Sequence, residues 1–257
     1  MSLHVGTSGW AYKEWKPAFY PEGLAQGDFL GHYASVLTAC EINATHYRLQ
    51  SEAAVARWAA ATPPGFRFAA KAHRRITHAR ALPPAEGGDA FLERFLESLT
   101  PLGDRLGAVL LQFPPTRRRD DGALADLLSC LPRGLPVALE FRHESWEDPE
   151  VGDRIAAHGG TVCVADRDGA VLERLPAGPL AYVRLRGEGY SPQTRAAWLA
   201  LFEREAADRP VYVFARHEGV PAGNPFAGVG MAQWMAEAAG GPAGGTTTSG
   251  SRPPASG

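Results

Sequence analysis

Short apolar runs alternate along the chain with longer stretches in which apolar positions recur every three or four residues. The runs at Leu3–Ser8, Ala39–Asn43, Phe66–Lys71, Ala108–Phe113, Val137–Phe141, Thr161–Ala165, Ala181–Leu185 and Val211–Phe214 predict strands. Between them, amphipathic spacing predicts helices over Glu52–Ala61, Ala90–Leu102, Gly122–Leu131, Glu150–His158 and Pro192–Ala207. Strand–helix alternation of this kind builds a parallel sheet covered by helices, and eight strands in one chain predict closure into a (β/α)8, TIM-like barrel of the α/β class. Pro63-Pro64-Gly65 ends one helix before its strand, and Gly159 stands where a helix C-terminus favours a left-handed residue. The barrel is predicted over residues 1–239. From Gly240 onward the Gly/Pro/Thr/Ser composition offers nothing to pack, and a disordered tail over 240–257 is expected.

Composition changes this picture little. A chain of 257 residues, 45% apolar, matches the size of about 250 residues common for one such barrel. The formal net charge of −2 gives no global signal for a nucleic-acid or membrane partner, and of the 26 basic residues only three are lysines (Lys13, Lys16, Lys71). Cys40, Cys130 and Cys163 share no CxxC spacing and read as buried free thiols of a reducing compartment. No basic segment followed by an apolar one opens the chain, and no apolar run approaches the roughly 20 residues of a membrane helix. A cytoplasmic protein without a membrane partner is expected; the oligomeric state is left open.

The chemistry is concentrated at the strand ends. In a closed α/β barrel the functional groups stand at the carboxyl ends of the strands. Here those ends carry Thr7 to Trp10, Glu41 and Asn43 with His46 and Tyr47, Lys71, Gln112, then Glu140, Arg142, His143 and Trp146, Asp166, Arg184 and Arg186, and Arg216-His217. Such groups are expensive to bury without partners, so their recurrence predicts a ligand-lined mouth. Glu41, Glu140 and Asp166 are the candidate catalytic carboxylates, with the first two as an acid–base pair; the alternative is that each is paired with a neighbouring arginine or lysine. Lys71, Arg142, Arg184 and Arg186 converge from three strands, and guanidinium forks suit carboxylate or phosphate oxygens. A small anionic ligand is therefore the leading expectation, with Thr7, Trp10, Asn43, Tyr47, Gln112, His143 and Trp146 completing the candidate binding set. Lys71 is also a candidate Schiff-base amine if desolvated, although a charge-paired lysine is the plainer reading. Glu140, His143, Asp166, Glu41 and His46 are a conceivable divalent-metal set, but no HxH or HExxH spacing supports it, so no metal ligand or cofactor is assigned. The basic loop His73-Arg74-Arg75-Ile76-Thr77-His78 could touch a polyanion arriving at the mouth, which keeps nucleic acid as a second partner class. No Walker loop, post-strand GxGxxG or GxSxG is present.

The motifs together resemble a known family, the YecE-like proteins of domain-of-unknown-function family 72. The matching pieces are Gly6-Thr7-Ser8-Gly9-Trp10 with Trp15-Lys16 and Phe19-Tyr20-Pro21, Glu41-Ile42-Asn43 with Thr45 and Tyr47-Arg48, and Phe66 to Lys71 with Ile76-Thr77-His78. They continue through Gly107 to Pro115, Glu140-Phe141-Arg142-His143 with Ser145-Trp146, Ala165-Asp166, and Tyr182 to Gly187. The resemblance implies a barrel related to the TIM fold and no settled activity. Family members often carry paired asparagines after the last strand, where this chain has Arg216-His217 followed by Gly219-Val220-Pro221-Ala222-Gly223-Asn224-Pro225, which implies an altered specificity or a lost activity. The functional expectation is an enzyme acting on a small phosphorylated or carboxylated substrate. The alternatives are a nucleic-acid-binding or phosphodiester-hydrolysing protein, and a ligand-binding barrel without catalysis.

Overall fold

The computed structural model describes residues 2–166 and 168–241. Nine strand segments lie in register: β1 (Leu3–Ser8), β2 (Ala39–Ile42), β3 (Arg67–Lys71), β4 (Leu106–Gln112), β5 (Val137–Glu140), β6 (Gly160–Val162), β7 (Val164–Asp166), β8 (Ala181–Leu185) and β9 (Val211–Ala215). Every pairing is parallel, in the order β6-β5-β4-β3-β2-β1-β9-β8-β7. β6 and β7 abut at Cys163: β6 pairs with β5, β7 pairs with β8, and Cys163 N donates to Leu139 O at 2.8 Å. The two segments share the single position expected at Thr161–Ala165. Nine segments thus fill eight places of a nearly closed barrel.

The helices outside are α1 (Phe29–Val36), α2 (Ala44–Tyr47), α3 (Glu52–Ala60), α4 (Arg74–Thr77), α5 (Gly88–Glu97), α6 (Asp121–Cys130), α7 (Pro149–Ala157), α8 (Pro192–Glu205) and α9 (Gly228–Ala238). Five of them begin at side-chain caps: Ser51, His73, Asp120, Asp148 and Ser191 accept from backbone N–H groups of the first turns of α3, α4, α6, α7 and α8. Proline opens α7 and α8, where its missing N–H is harmless. The helix predicted over Ala90–Leu102 stops at Glu97 and yields to a 3-10 segment over Thr100–Arg105, in which Gly103 takes φ 52°. Gly240 (φ 73°) and Gly241 close the last helix by donating to Glu237 O and Ala236 O; the rest of the tail expected over 240–257 lies outside the described residues. Among the described residues no helix is long and apolar enough to cross a membrane.

The barrel interior is divided by side-chain size. Ala39, Ala69, Ala108 and Ala138 line β2 to β5, and Tyr182, Tyr212 and Phe214 fill the space from β8 and β9. Outside the barrel, Tyr33 of α1 is threaded into the β1–β2 seam. Its hydroxyl accepts from Thr7 N at 2.8 Å and donates to Ala39 O at 2.9 Å. Gly6 makes room for this, because a Cβ there would stand 1.7 Å from Ala39 O and 2.8 Å from the Tyr33 hydroxyl. Tyr33→Phe leaves a buried N–H and a buried C=O without that partner. We expect it to lower unfolding free energy by about 1–3 kcal/mol, read from urea denaturation.

Candidate functional site

Register decides which strand-end residues meet. Ser8 is the Cα partner of Glu41, Gln112 of Glu140, and Ala165 of Arg184. Side chains alternate faces along a strand, so this layer faces the barrel axis and the residues one step away face the helices.

Arg184 is the centre of the inward layer. It is 5% exposed, and its Nη2 donates to Glu41 Oε1 at 2.9 Å while Nη1 donates to Glu140 Oε2 at 2.6 Å. Glu41, with no exposure, also accepts from Ser8 Oγ (2.7 Å) and Tyr182 Oη (2.8 Å). Glu140, 1% exposed, also accepts from Gln112 Nε2 (2.8 Å) and Arg142 Nε (3.2 Å). Arg186 donates from Nη2 to Ser8 Oγ at 2.7 Å and stands 3.6 Å from Glu41 Oε1. The two carboxylates thus flank one guanidinium.

Burial alone would raise the Glu41 carboxyl, but Arg184, Arg186 and the Ser8 hydroxyl outweigh it and hold the group at about 2. Glu140 behaves likewise: burial raises it, while Arg184, Gln112 and Arg142 bring the net shift downward. Both are ionised at neutral pH and weakly basic. Lys71 differs. Burial, followed by the charge of Arg184, lowers its amine to about 8, and among the described residues no carboxylate lies within 4.0 Å of it. The expectation of a charge-paired Lys71 is corrected by that spacing.

Above this layer a cavity of about 370 Å³ is lined by Glu140, Arg142, Arg184, Arg186, Arg216 and Glu218. The side chain of Arg142 is 35% exposed, and only its Nε is engaged, so both terminal nitrogens are free for a ligand among the described residues. Arg216 donates from Nε to Glu218 O and meets Glu188 at 3.4 Å. His217 turns away to stack on Tyr12, ring centroids 4.2 Å apart. The two positions where family members often have asparagines therefore diverge: one joins the mouth and the other packs its wall.

Several expected site residues lie elsewhere. Asp166 faces the helix side, where Tyr190 Oη (2.8 Å) and Gly169 N (3.1 Å) donate to it, so it does not join the carboxylate layer. Thr7 also points outward, to Gly9 O and Tyr33. Trp10 packs edge-on against Trp58 and Phe68. His143 accepts from Ser145 N to cap a short turn, and Trp146, stacked on Phe141 at 4.3 Å, donates to Arg117 O. Asn43 sits at the β1–β2 rim with Nδ2 3.5 Å from Ser8 O and no partner for Oδ1. Tyr47, 66% exposed, stands on the rim beside His46. The divalent-metal set does not assemble: among the described residues no three His, Cys, Asp or Glu side chains are placed to hold a metal ion. Ser8 and Tyr182 were missing from the expected ligand set, as was Glu218. The alternation Tyr182-Arg184-Arg186 was the signal for the second, since all three share one face of β8 and its continuation.

A model of the family described as Protein of unknown function DUF72 matches residues 4–246. UPF0759 protein YunF of Bacillus subtilis is 32% identical over 152 residues, covering 57% of this chain and 53% of that protein. UPF0759 protein YecE of Escherichia coli K12 is 31% identical over 142 residues, covering 55% and 48%. The chain spans about half the length of the curated relatives it matches. Among solved structures, a DUF72 family protein from Thermotoga maritima superposes with a TM-score of 0.75 at 23% identity, covering 93% of this chain and 100% of that one. Another from Enterococcus faecalis gives 0.68 at 20% identity, covering 93% and 97%. These likenesses carry the fold.

Proposed function

This chain belongs to the family described as Protein of unknown function DUF72, and from that premise we propose that its barrel mouth binds a small anion as part of an enzyme acting on a phosphorylated or carboxylated substrate. The observation that carries the reading is the set of four arginines, Arg142, Arg184, Arg186 and Arg216, around one cavity that holds only two glutamates. Arg184 and Arg186 are committed to the buried carboxylates and supply the positive frame. Arg142 has both terminal nitrogens available for two-point contact with a carboxylate or phosphate. In this reading Glu41 and Glu140 hold the arginines in place rather than exchange protons, because clamped carboxylates are poor bases.

The test is calorimetric titration with inorganic phosphate and with small phosphorylated and carboxylated compounds, on wild type and Arg142→Ala. Loss of one charge-assisted contact removes about 1.5–3 kcal/mol, so binding should weaken roughly 10- to 150-fold while the fold is kept. The partly exposed position of Arg142 is the reason the fold should survive. Labelled single-stranded and duplex DNA across a salt series separates the other partner class. Steeply salt-dependent binding to DNA, with none to the small anions, would overturn the small-anion reading in favour of nucleic acid.

A further inference from the structure

Lys71 closes β3 on the inward face, two residues beyond Ala69, the Cα partner of Glu41. Its backbone is pinned by Thr45 Oγ1, which donates to Lys71 O at 2.7 Å. Its amine is partly buried. Among the described residues it has no hydrogen-bond partner, and the carboxylates it faces are already held by guanidiniums: Glu41 of β2 by Arg184, and Glu140 of β5 by Arg184 and Arg142. The other charged neighbours, Arg184 of β8 and Arg142, repel its cationic form. Two imidazoles stand on the same side. His46 and His78 have ring centroids 5.1 Å apart, their Nδ1 atoms paired with Ala72 O and Thr77 Oγ1, each at 2.8 Å, and Lys71 is near enough to both for its charge to lower their proton affinity. A structural lysine is usually held by a carboxylate; among the described residues this one forms no salt bridge, and its partly buried amine keeps contact with solvent.

We propose that Lys71 is a nucleophilic amine which forms a Schiff base with the carbonyl carbon of a small anionic aldehyde or ketone held by Arg142. The proposal rests on the anion-binding reading of the mouth and narrows the substrate to an anionic carbonyl compound. The ammonium first gives a proton to solvent. The amine lone pair then bonds to the carbonyl carbon as the C=O π pair moves onto oxygen, which takes up the proton that the attacking nitrogen releases. The C–O bond next breaks, water leaves with a proton returned by solvent, and an iminium remains. One ammonium and one carbonyl thus give one iminium and one water, with no change of oxidation state. Burial and the neighbouring arginines lower the amine to about 8, which supplies the free base near neutral pH.

The test is borohydride trapping on the full chain with pyruvate as a 2-oxo acid, dihydroxyacetone phosphate as a phosphorylated ketone and acetone as a neutral control. Hydride adds to the iminium carbon and leaves a stable secondary amine, heavier by the probe less one oxygen atom. The chain has only three lysines, so peptide mapping assigns the adduct without ambiguity. The expected result is modification of Lys71 ahead of Lys13 and Lys16 by at least tenfold with one anionic probe. The trapping rate should rise with pH and level off above about 8. Lys71→Arg, which keeps the charge, should give no such adduct, and the probe that traps tells carboxylate from phosphate. Equal labelling of the three lysines, or a rate still rising above pH 10, would overturn the proposal. Phosphate binding in the calorimeter with no adduct at Lys71 from either anionic probe would also overturn it while leaving the anion reading standing. Trapping at Lys71 by acetone as readily as by the anions, unaffected by Arg142→Ala, would overturn the anionic substrate class proposed for the amine, while the calorimeter decides the anion reading by itself.

Discussion

Arg184→Met is expected to lower unfolding free energy by about 3–5 kcal/mol, because it removes the shared counter-charge of two buried carboxylates. Glu41 and Glu140 are 0% and 1% exposed, and Arg184 donates to both, so the methionine variant keeps two desolvated anions in one layer without the group between them. Urea denaturation at pH 7 gives the size of the loss. A second comparison separates charge from packing. Adding Glu41→Gln and Glu140→Gln to Arg184→Met removes both anions and should recover part of the stability, since neutral amides are far cheaper to bury. If Arg184→Met were as stable as wild type, the guanidinium would not be holding the layer together. If the triple variant were no better than the single one, the damage would be to packing rather than to charge.

Acid should unfold the wild type through the same residues. Glu41 is held at about 2 against an ordinary value of 4.5, so the unfolded chain binds its proton first. Its contribution is fully present above about pH 4.5 and is lost as the pH falls toward 2. A shift of that size corresponds to about 3 kcal/mol from this one carboxylate, with Glu140 acting in the same direction. The expected observation is a urea midpoint that declines steeply below pH 4.5. In Arg184→Met that decline should shrink, because burial is the largest influence on both carboxyls and it acts upward once the main opposing charge has gone. A wild-type midpoint flat from pH 5 to pH 2.5 would contradict the ionised, arginine-held state of Glu41.

The barrel was legible because its strands are short apolar runs bounded by turn residues. The two ends of β1 and of β8 fall where the hydropathy pattern put them. Of the four helices that pattern did not reveal, α2 and α4 are single turns of four residues, and the other two had reasons to escape it. Five of the eight residues of α1 are buried, which blurs the polar stripe an amphipathic helix needs, and α9 begins with Gly-Val-Gly and has no side-chain cap. The candidate site was legible only in part. The inventory of strand ends found Glu41, Lys71, Gln112, Glu140, Arg142, Arg184 and Arg186, but it treated neighbours along a strand as equals. Pleating separates them. Ser8 enters the layer where Thr7 does not, and Ala165 points inward where Asp166 points out. The meeting of Arg184 with Glu41, 143 residues apart in sequence, could not be read before the register of the barrel was known.

The size asymmetry inside the barrel sets how deep a visitor can go. Tyr182, Tyr212 and Phe214, closed against the alanines of the opposite strands, form a solid floor, and the Tyr182 hydroxyl ends that floor directly beneath Glu41. In the small-anion reading proposed above, a ligand entering from the mouth would meet Arg184 at the top of this floor, and the rest of the molecule would lie across the rim, among Tyr47, Arg142 and Arg216.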